Sequence, residues 1–215
     1  INNLIIVLFA ALATGGAVVV SQYLGAREQK HADASAGQLI LLSGLFGVAV
    51  GAVCFVLARP MIRLFYGSID ADVLEAGVLY LKVIALGAPF QVLVTGCTPL
   101  IRNQGKVAYA MAVQVFAGLM NVALDYVFVI LLGMGTAGAA AATVVSQVSA
   151  FLLVLGFFLK RENRIAVADL RPDRHIALHA LRLGLAPFGL TLLPEATVVA
   201  INVNLSMYGG EQALA

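Results

Sequence analysis

The sequence has 215 residues, of which 61% are hydrophobic and 11% are charged; its formal net charge is +2 and its mean hydropathy is +0.99. Soluble domains carry about 25% charged residues, so this composition excludes an ordinary soluble protein and predicts a membrane protein. Transmembrane barrels are built from alternating segments of about ten residues, a pattern the sequence lacks. We therefore predict an all-α, polytopic helical membrane fold.

Long apolar segments follow one another along the chain. A helix needs about 20 apolar residues to cross the hydrocarbon core, and by this criterion the sequence predicts six transmembrane helices. The run 107–159, uncharged apart from Asp125, is long enough for two of them, and the glycine-rich segment GMGTAG at 133–138 separates the two. The predicted spans are 3–24, 36–58, 78–101, 107–131, 137–159 and 184–208.

The positive charges are distributed unevenly between the two ends of these spans. Ten of the thirteen Lys and Arg residues fall on one side, namely Arg27, Lys30, Arg102, Lys106, Lys160, Arg161, Arg164, Arg171, Arg174 and Arg182. Cytoplasmic loops carry the excess of positive charge, so this side is predicted to be cytoplasmic and the first span to enter from outside. The net charge reflects topology, and we predict no nucleic-acid partner.

A polar segment at 160–183 interrupts the succession of helical hairpins. It is long for a connection between packed helices and is predicted to link two bundles. Five spans precede it and one follows. Ile1 already lies inside an apolar run, and the chain ends soon after the last span. We expect the sequence to be a fragment of a longer transporter with matched halves.

Small residues and prolines indicate how the helices pack. Gly47 and Gly51 form a GxxxG pair in the second span, which permits close backbone approach. We interpret the pair as ordinary bundle packing rather than a dimer face. Prolines lie in or at the ends of the third and sixth spans, where each removes a backbone donor and can bend the helix.

Asp125 is the single charge in the run 107–159. Counted from the turn near Met134, Asp125 and Thr143 are each nine residues away, and Asn121 and Gln147 are each thirteen away. The i to i+4 spacing places Asn121 with Asp125 on one helix face, and Thr143 with Gln147 on another. The hairpin therefore predicts one polar patch in the outer half of the bundle.

An intramembrane carboxylate is costly and usually marks an ion or substrate pathway. Insertion scales give about 2.5 to 3.5 kcal/mol for such a charge. Together with an amide carbonyl and a hydroxyl it supplies hard oxygen ligands for Na+, or it can take up a proton. The candidate cation-coupling residues are Asn121, Asp125, Thr143 and Gln147, and the candidate Na+ ligands are Asn121, Asp125 and Thr143. The alternative is a purely structural hydrogen bond from Asp125 to neighbouring helices.

Glu195 is a second intramembrane acid. It lies about 16 Å above the cytoplasmic entry of the last span at 1.5 Å per residue, beside Pro194, and is a further candidate cation or proton site. Gln91 is one of four glutamines inside spans that are expected to pack or to line a path. With Asp125 and Glu195 it is a candidate substrate-binding residue. Lys82 is expected to extend to the interface.

Four segments taken in order resemble the multidrug and toxic compound extrusion (MATE) family. They are ATGGAVVVSQYLGA (13–26), LGAPFQVLVTGCTPLIRNQGK (86–106), NVALDYVFVILLGMGTAGAAAATVVSQ (121–147) and GLAPFGLTLLPEATVVAINVNLSMYGG (184–210). The resemblance implies a twelve-helix transporter with two six-helix lobes. Residues 1–159 would then form helices two to six of the first lobe, 160–183 the inter-lobe linker, and 184–215 the first helix of the second lobe.

The resemblance also implies residue roles. Asn121, Asp125 and Thr143 match the polar cation-coupling cluster of the first lobe, and Glu195 matches an acidic residue on the seventh helix. The family's partner aspartate on the first helix would lie before Ile1.

The implied function is a secondary antiporter that exports organic cations in exchange for Na+ or H+ by alternating access, without another cofactor. It would work as a monomer in the lipid bilayer of the cytoplasmic (inner) membrane. The alternative is a flippase for a lipid-linked oligosaccharide, which would be expected to have a basic central cavity. An enzyme is not expected, because the sequence has no HExxH, GxSxG or intramembrane histidine pair.

Overall fold

Helices account for nearly all of the described chain. The structure is a computed structural model that describes residues 2–66, 71–160 and Thr197. Its elements are α1 (Asn2–Gly25), α2 (Gln29–Val56), α3 (Ala58–Tyr66), α4 (Ala71–Asn103), α5 (Val107–Asp125), a π-helix (Tyr126–Leu131) and α6 (Gly135–Phe158). The predicted linker beyond Lys160, and the last span with Glu195, lie outside the described residues apart from Thr197.

The predicted all-α membrane fold is confirmed. Four helical segments are long and apolar enough to cross a membrane, and they are Gln29–Val56, Val73–Asn103, Val107–Leu131 and Gly135–Phe158. The first predicted span coincides with α1. The helices α2 and α4 begin seven residues earlier than predicted, at Gln29 rather than 36 and at Ala71 rather than 78. Their first turns are polar, so hydropathy alone does not include them.

The short helix α3 was not predicted, because its nine residues include two arginines and cannot form a span. Its apolar side chains are nevertheless spaced for burial. Ala58 and Ile62 pack one turn apart against Leu74 and Val78 of α4. An amphipathic helix therefore closes one end of the bundle, the end that the charge distribution predicts to be the outer one.

Charged side chains lie around this outer end. Arg59 of α3 lies 3.5 Å from the carboxylate of Glu75, and both side chains are exposed. The ammonium group of Lys82 lies 5.5 Å from the centre of the Phe55 ring, within the range of a cation–π contact. Lys82, about three turns after the start of α4, therefore contacts an aromatic ring near the end of α2. Its extension to the membrane interface stays a prediction.

Helix α4 is central, because it packs against α1, α2, α3, α5 and α6. Its contact with α2 depends on the predicted glycine pair. A Cβ atom at Gly47 would lie 2.8 Å from the Cα of Pro89, and one at Gly51 would lie 2.7 Å from the carbonyl oxygen of Ala85. The GxxxG pair thus faces a helix of the same chain, as the packing interpretation expected.

The bundle end opposite α3 brings several predicted cytoplasmic segments together. The side-chain amide of Asn103, at the end of α4, donates to the carbonyl oxygen of Ala17 in α1 at 2.7 Å. Phe158, at the end of α6, packs against the same small cluster as Leu24 of α1. The helix ends that carry Arg27, Arg102 and Lys160 therefore meet at one end, in agreement with the predicted topology.

Substitution of the glycines at the α2–α4 contact tests this packing. Gly47→Ala and Gly51→Ala each place a methyl group against backbone atoms, which cannot move aside as a side chain can. We expect each to lower the free energy of unfolding by about 1 to 3 kcal/mol, the usual cost of overpacking. Unfolding in detergent, followed by circular dichroism, measures the change.

Gly44→Ala is the matched control on the same helix. A Cβ atom there would lie 3.7 Å from a side-chain methyl of Leu93, which is an ordinary contact. Alanine also favours helix over glycine, so no loss of stability is expected. Equal losses at all three glycines would contradict the proposed close approach.

Candidate cation site between α4, α5 and α6

Two of the predicted site residues are in direct contact. The side-chain nitrogen of Asn121 in α5 donates to the hydroxyl oxygen of Thr143 in α6 at 3.4 Å. The hydroxyl of Thr143 in turn donates to the carbonyl oxygen of Ala139 at 3.0 Å. Asn121 Oδ1 and one lone pair of Thr143 Oγ1 remain as acceptors, so the pair can offer two neutral oxygens to a cation.

This pairing is shifted by one turn from the level predicted by counting along the hairpin. The count places Thr143 level with Asp125, whereas the structure joins it to Asn121. Part of the difference has a cause in the backbone, because residues Tyr126–Leu131 form a π-helix rather than an α-helix. The amide of Leu132, for example, donates to Val127 five residues back at 2.9 Å. A π turn holds about one residue more than an α turn, so it draws Asn121 toward the turn of the hairpin by about one residue of the observed shift.

Asp125 is the last residue of α5 and directly precedes this π-helix. Its side chain is half-buried, and one carboxylate oxygen, Oδ1, is buried without a hydrogen-bond partner among the described residues. It lies one turn beyond Asn121 on the same helix. No structural hydrogen bond within the described residues therefore accounts for this oxygen, and a buried polar atom without such a partner is free to accept one from a ligand.

Gln147, one turn beyond Thr143 in α6, extends toward α4. Its side-chain oxygen occupies the space where a Cβ atom of Gly87 would lie, and Val144 Cγ2 lies 3.0 Å from that position. Gln147 Oε1 is also buried without a hydrogen-bond partner among the described residues. Gly87 is thus a residue that sequence reasoning missed: its lack of a side chain makes room for a polar group.

Gln91 lies one turn after Gly87 in α4 and is half-buried. Its main-chain carbonyl oxygen accepts a hydrogen bond from the Thr95 hydroxyl at 2.9 Å, which is a local contact within the helix. The predicted residues therefore lie on three helices, with Asn121 and Thr143 in contact, Asp125 adjacent on α5, and Gln147 against Gly87.

The donor set favours a hard monovalent cation or a proton. Across 2–66 and 71–160, no group of three His, Cys, Asp or Glu side chains is arranged to hold a metal ion. The site instead combines one carboxylate with amide and hydroxyl oxygens. These are hard ligands with a single negative charge.

Residues 1–127 match the MatE family model, which is more than half of the chain. The chain belongs to the MatE family. The resemblance found in the four segments is thereby confirmed.

A curated relative and two solved structures show the same relationship. The chain is 26% identical over 197 residues to the multidrug export protein MepA of Staphylococcus saprophyticus, a match that covers 91% of the chain and 43% of MepA. Among solved structures it is similar to an inward-facing multidrug resistance MATE transporter, with a TM-score of 0.86, 27% identity, and coverage of 98% of this chain and 48% of that one. An outward-facing MATE transporter gives a TM-score of 0.85, 28% identity, and coverage of 97% and 46%.

The chain matches only part of the length of each of these proteins. The chain spans less than half of the length of the curated relatives, 36% and 43% for the first two. The described MatE residues therefore correspond to part of such a transporter.

The variant Asp125→Asn tests whether the carboxylate has a structural role. Asparagine has the same shape and no charge, so it removes an unpaired buried charge without opening a cavity. We expect the free energy of unfolding to stay the same or to rise, by up to about 2 kcal/mol. A clear fall in stability would indicate that Asp125 holds the helices together through its charge.

The contact of Gln147 with Gly87 can be tested by a double-mutant cycle. Gly87→Ala alone forces Gln147 to move, and Gln147→Ala should relieve that cost. We expect a coupling of about 0.5 to 3 kcal/mol, the range for residues in contact. Gly118→Ala in α5, where a Cβ atom would meet nothing within 4 Å, is the control and should not couple to Gln147→Ala. Additive effects at Gly87 and Gln147 would contradict the contact.

Proposed function

We propose that the protein containing this chain is a secondary antiporter that exports organic cations across the cytoplasmic membrane in exchange for Na+ or H+. The observation that carries the proposal is a buried carboxylate oxygen of Asp125 that has no hydrogen-bond partner among the described residues and lies one turn from Asn121 of the Asn121–Thr143 pair. The membership of the chain in the MatE family and its similarity to a multidrug export protein support this proposal.

Competition for one negative charge provides the coupling. A single carboxylate in a medium of low dielectric is stabilised by one cation, and a second cation nearby would be repelled. An organic cation and a coupling ion would then exclude each other at Asp125. Uptake of the coupling ion from outside displaces the substrate, and release of that ion inside resets the site.

Both coupling ions suit the chemistry of the site. A proton would bind directly to the carboxylate. Na+ would be held by Asp125 with Asn121 Oδ1 and Thr143 Oγ1, the two oxygens that the observed hydrogen bonds leave as acceptors. Gln147, Gln91 and Glu195 remain proposed contributors, as coupling or substrate-binding residues.

The transport cycle is proposed to proceed by rocking of two lobes. The chain resembles an inward-facing and an outward-facing transporter almost equally, with TM-scores of 0.86 and 0.85. This near-equal similarity supports a cycle in which the lobe that contains this chain keeps its internal structure while its position relative to the other lobe changes. We propose that the transporter works as a monomer, in which this chain contributes most of the first lobe.

The flippase alternative is disfavoured by the sign of the buried charge. A lipid-linked oligosaccharide carries phosphate, which an intramembrane cation would bind. The charged side chain between α5 and α6 is instead that of an acid, Asp125.

Efflux measurements test the proposal. In cells that express the intact transporter, we expect Asp125→Asn to reduce efflux of a fluorescent organic cation at least tenfold. Efflux is then measured after the Na+ gradient alone, or the H+ gradient alone, has been collapsed. The gradient whose collapse stops efflux identifies the coupling ion. Asp33→Asn makes the same chemical change near the start of α2 and should leave efflux unchanged. Normal efflux by Asp125→Asn would overturn the assigned role.

Variants of Thr143 distinguish Na+ from H+ coupling. Thr143→Val keeps the shape and removes an oxygen, whereas Thr143→Ser keeps the hydroxyl. If Na+ is bound there, Thr143→Val should raise the Na+ concentration for half-maximal efflux about tenfold, as expected for loss of one contact to a charged group. Thr143→Ser should change it little. An unchanged Na+ dependence in Thr143→Val would remove Thr143 from the ligand set.

A further inference from the structure

A polar cleft lies at the bundle end that carries the α1–α2 and α4–α5 turns, away from Asp125. Its volume is about 520 Å³. Polar residues from both turns line it, and none of its lining residues is acidic; those used below are Ser21, Arg27 and Asn103. By the predicted topology it opens at the cytoplasmic surface of the membrane, at the depth of lipid headgroups.

Arg27 occupies an unusual backbone position in this cleft. It has a φ of +61° and is the only described residue other than glycine with a positive φ. Its amide donates to Leu24 at 3.2 Å and the next amide, of Glu28, donates to Tyr23 at 2.9 Å, which is the hydrogen-bond pattern of a Schellman motif. Glycine is the usual residue at this position, because other side chains are strained there.

The end of α4 has the same motif with the usual residue. Gly105 has a φ of +79°, its amide donates to Arg102 at 2.9 Å, and the amide of Lys106 donates to Ile101 at 3.3 Å. Two neighbouring turns thus share one backbone design, and only one carries an arginine where glycine fits better. A strained residue in a cleft suggests that its side chain has a role there.

The charges around the cleft favour an anion. The two turns carry four cationic residues, which are Arg27, Lys30, Arg102 and Lys106. Two acids, Glu28 and Asp33, lie in the same segment, so the formal charge of these six residues is +2. The Glu28 carboxylate lies 3.2 Å from His31 Nδ1, and Asp33 accepts a hydrogen bond from the side-chain amide of Gln29 at 2.8 Å.

The remaining polar groups favour a ligand that also carries hydrogen-bond donors. The Ser21 hydroxyl donates to Val18 at 2.8 Å, so its oxygen is left as an acceptor. Asn103 donates to Ala17, and its Oδ1 likewise remains an acceptor. One arginine beside two acceptor oxygens suits a phosphate group that is linked to hydroxyl groups.

We propose that this cleft binds the headgroup of an anionic phospholipid that carries hydroxyl groups, with the phosphate on Arg27 and the hydroxyls on Ser21 and Asn103. Phosphatidylglycerol has this chemistry. Phosphatidylcholine has the phosphate but neither the net charge nor the hydroxyl donors. Basic clefts between helices on the cytoplasmic side are known to suit such headgroups.

Native mass spectrometry of the intact protein in detergent, titrated with phosphatidylglycerol or phosphatidylcholine, tests the proposal. We expect tighter binding of phosphatidylglycerol, weakened about fivefold by Arg27→Gly, the change for one cation near an anionic headgroup. Because glycine relieves the backbone strain, this variant should unfold no more easily than the wild type without lipid. Loss of binding would therefore not reflect a damaged turn.

Two further variants and a competition arm complete the test. Arg27→Lys should retain binding within about twofold, and Arg63→Gln, an exposed arginine in α3 at the other end, should change nothing. Equal binding of phosphatidylglycerol by Arg27→Gly and wild type would overturn the proposal. Glycerol 3-phosphate at millimolar concentration is the competitor. If it displaced the lipid as effectively as free phosphatidylglycerol does, the lipid assignment would be overturned and the cleft would be assigned to a soluble phosphate ester.

Discussion

The close backbone contact of α2 with α4 is the constraint on which the remaining packing depends. Lipid tails are as apolar as leucine side chains, so helices in a membrane gain little from burying apolar surface and rely on close contact. Gly47 and Gly51 allow that contact at Pro89 and Ala85. Pro89 has no amide hydrogen, so the Ala85 carbonyl lacks its usual helical partner just where α2 approaches. Helix α4 is thereby held in place, and every other described α-helix packs against it.

The candidate site lies where this packing is looser. Many side chains of α5 are exposed, and its apolar ones, such as Met111, Leu119 and Val122, are suited to acyl chains or to parts of the transporter beyond the described residues. A site on such a helix can change its surroundings without disrupting the α2–α4 contact. In the proposed site, the Asp125 oxygen that has no partner among the described residues would gain one when a cation binds. On that proposal, the stability of the empty site and the function of the residue oppose each other.

The sequence predicts those features that depend on average hydropathy and on residue spacing. Five of the predicted spans coincide with described helices, because a run of about 20 apolar residues has few other ways to satisfy its backbone. The pairing of polar residues between α5 and α6 was predicted to within one turn. The helix α3 and the π-helix were not predicted: α3 is too short and charged for a span, and YVFVIL at 126–131 has the composition of any apolar helix. The role of Gly87 depends on which side chain of α6 faces it, which spacing within one helix does not determine.

The π-helix has a further consequence for comparing members of the family. Each of its hydrogen bonds encloses one residue more than an α-helical bond, so it is equivalent to a single inserted residue in a continuous helix. A homologue with one residue fewer between 126 and 131 would form an unbroken α-helix with the same polar residues on α5. The α turn would then cover the same rotation with one residue fewer, so the segment beyond it would keep nearly the same face toward α6. A one-residue gap at this point of an alignment would therefore mark a change of helix type, rather than the loss of the candidate cation site.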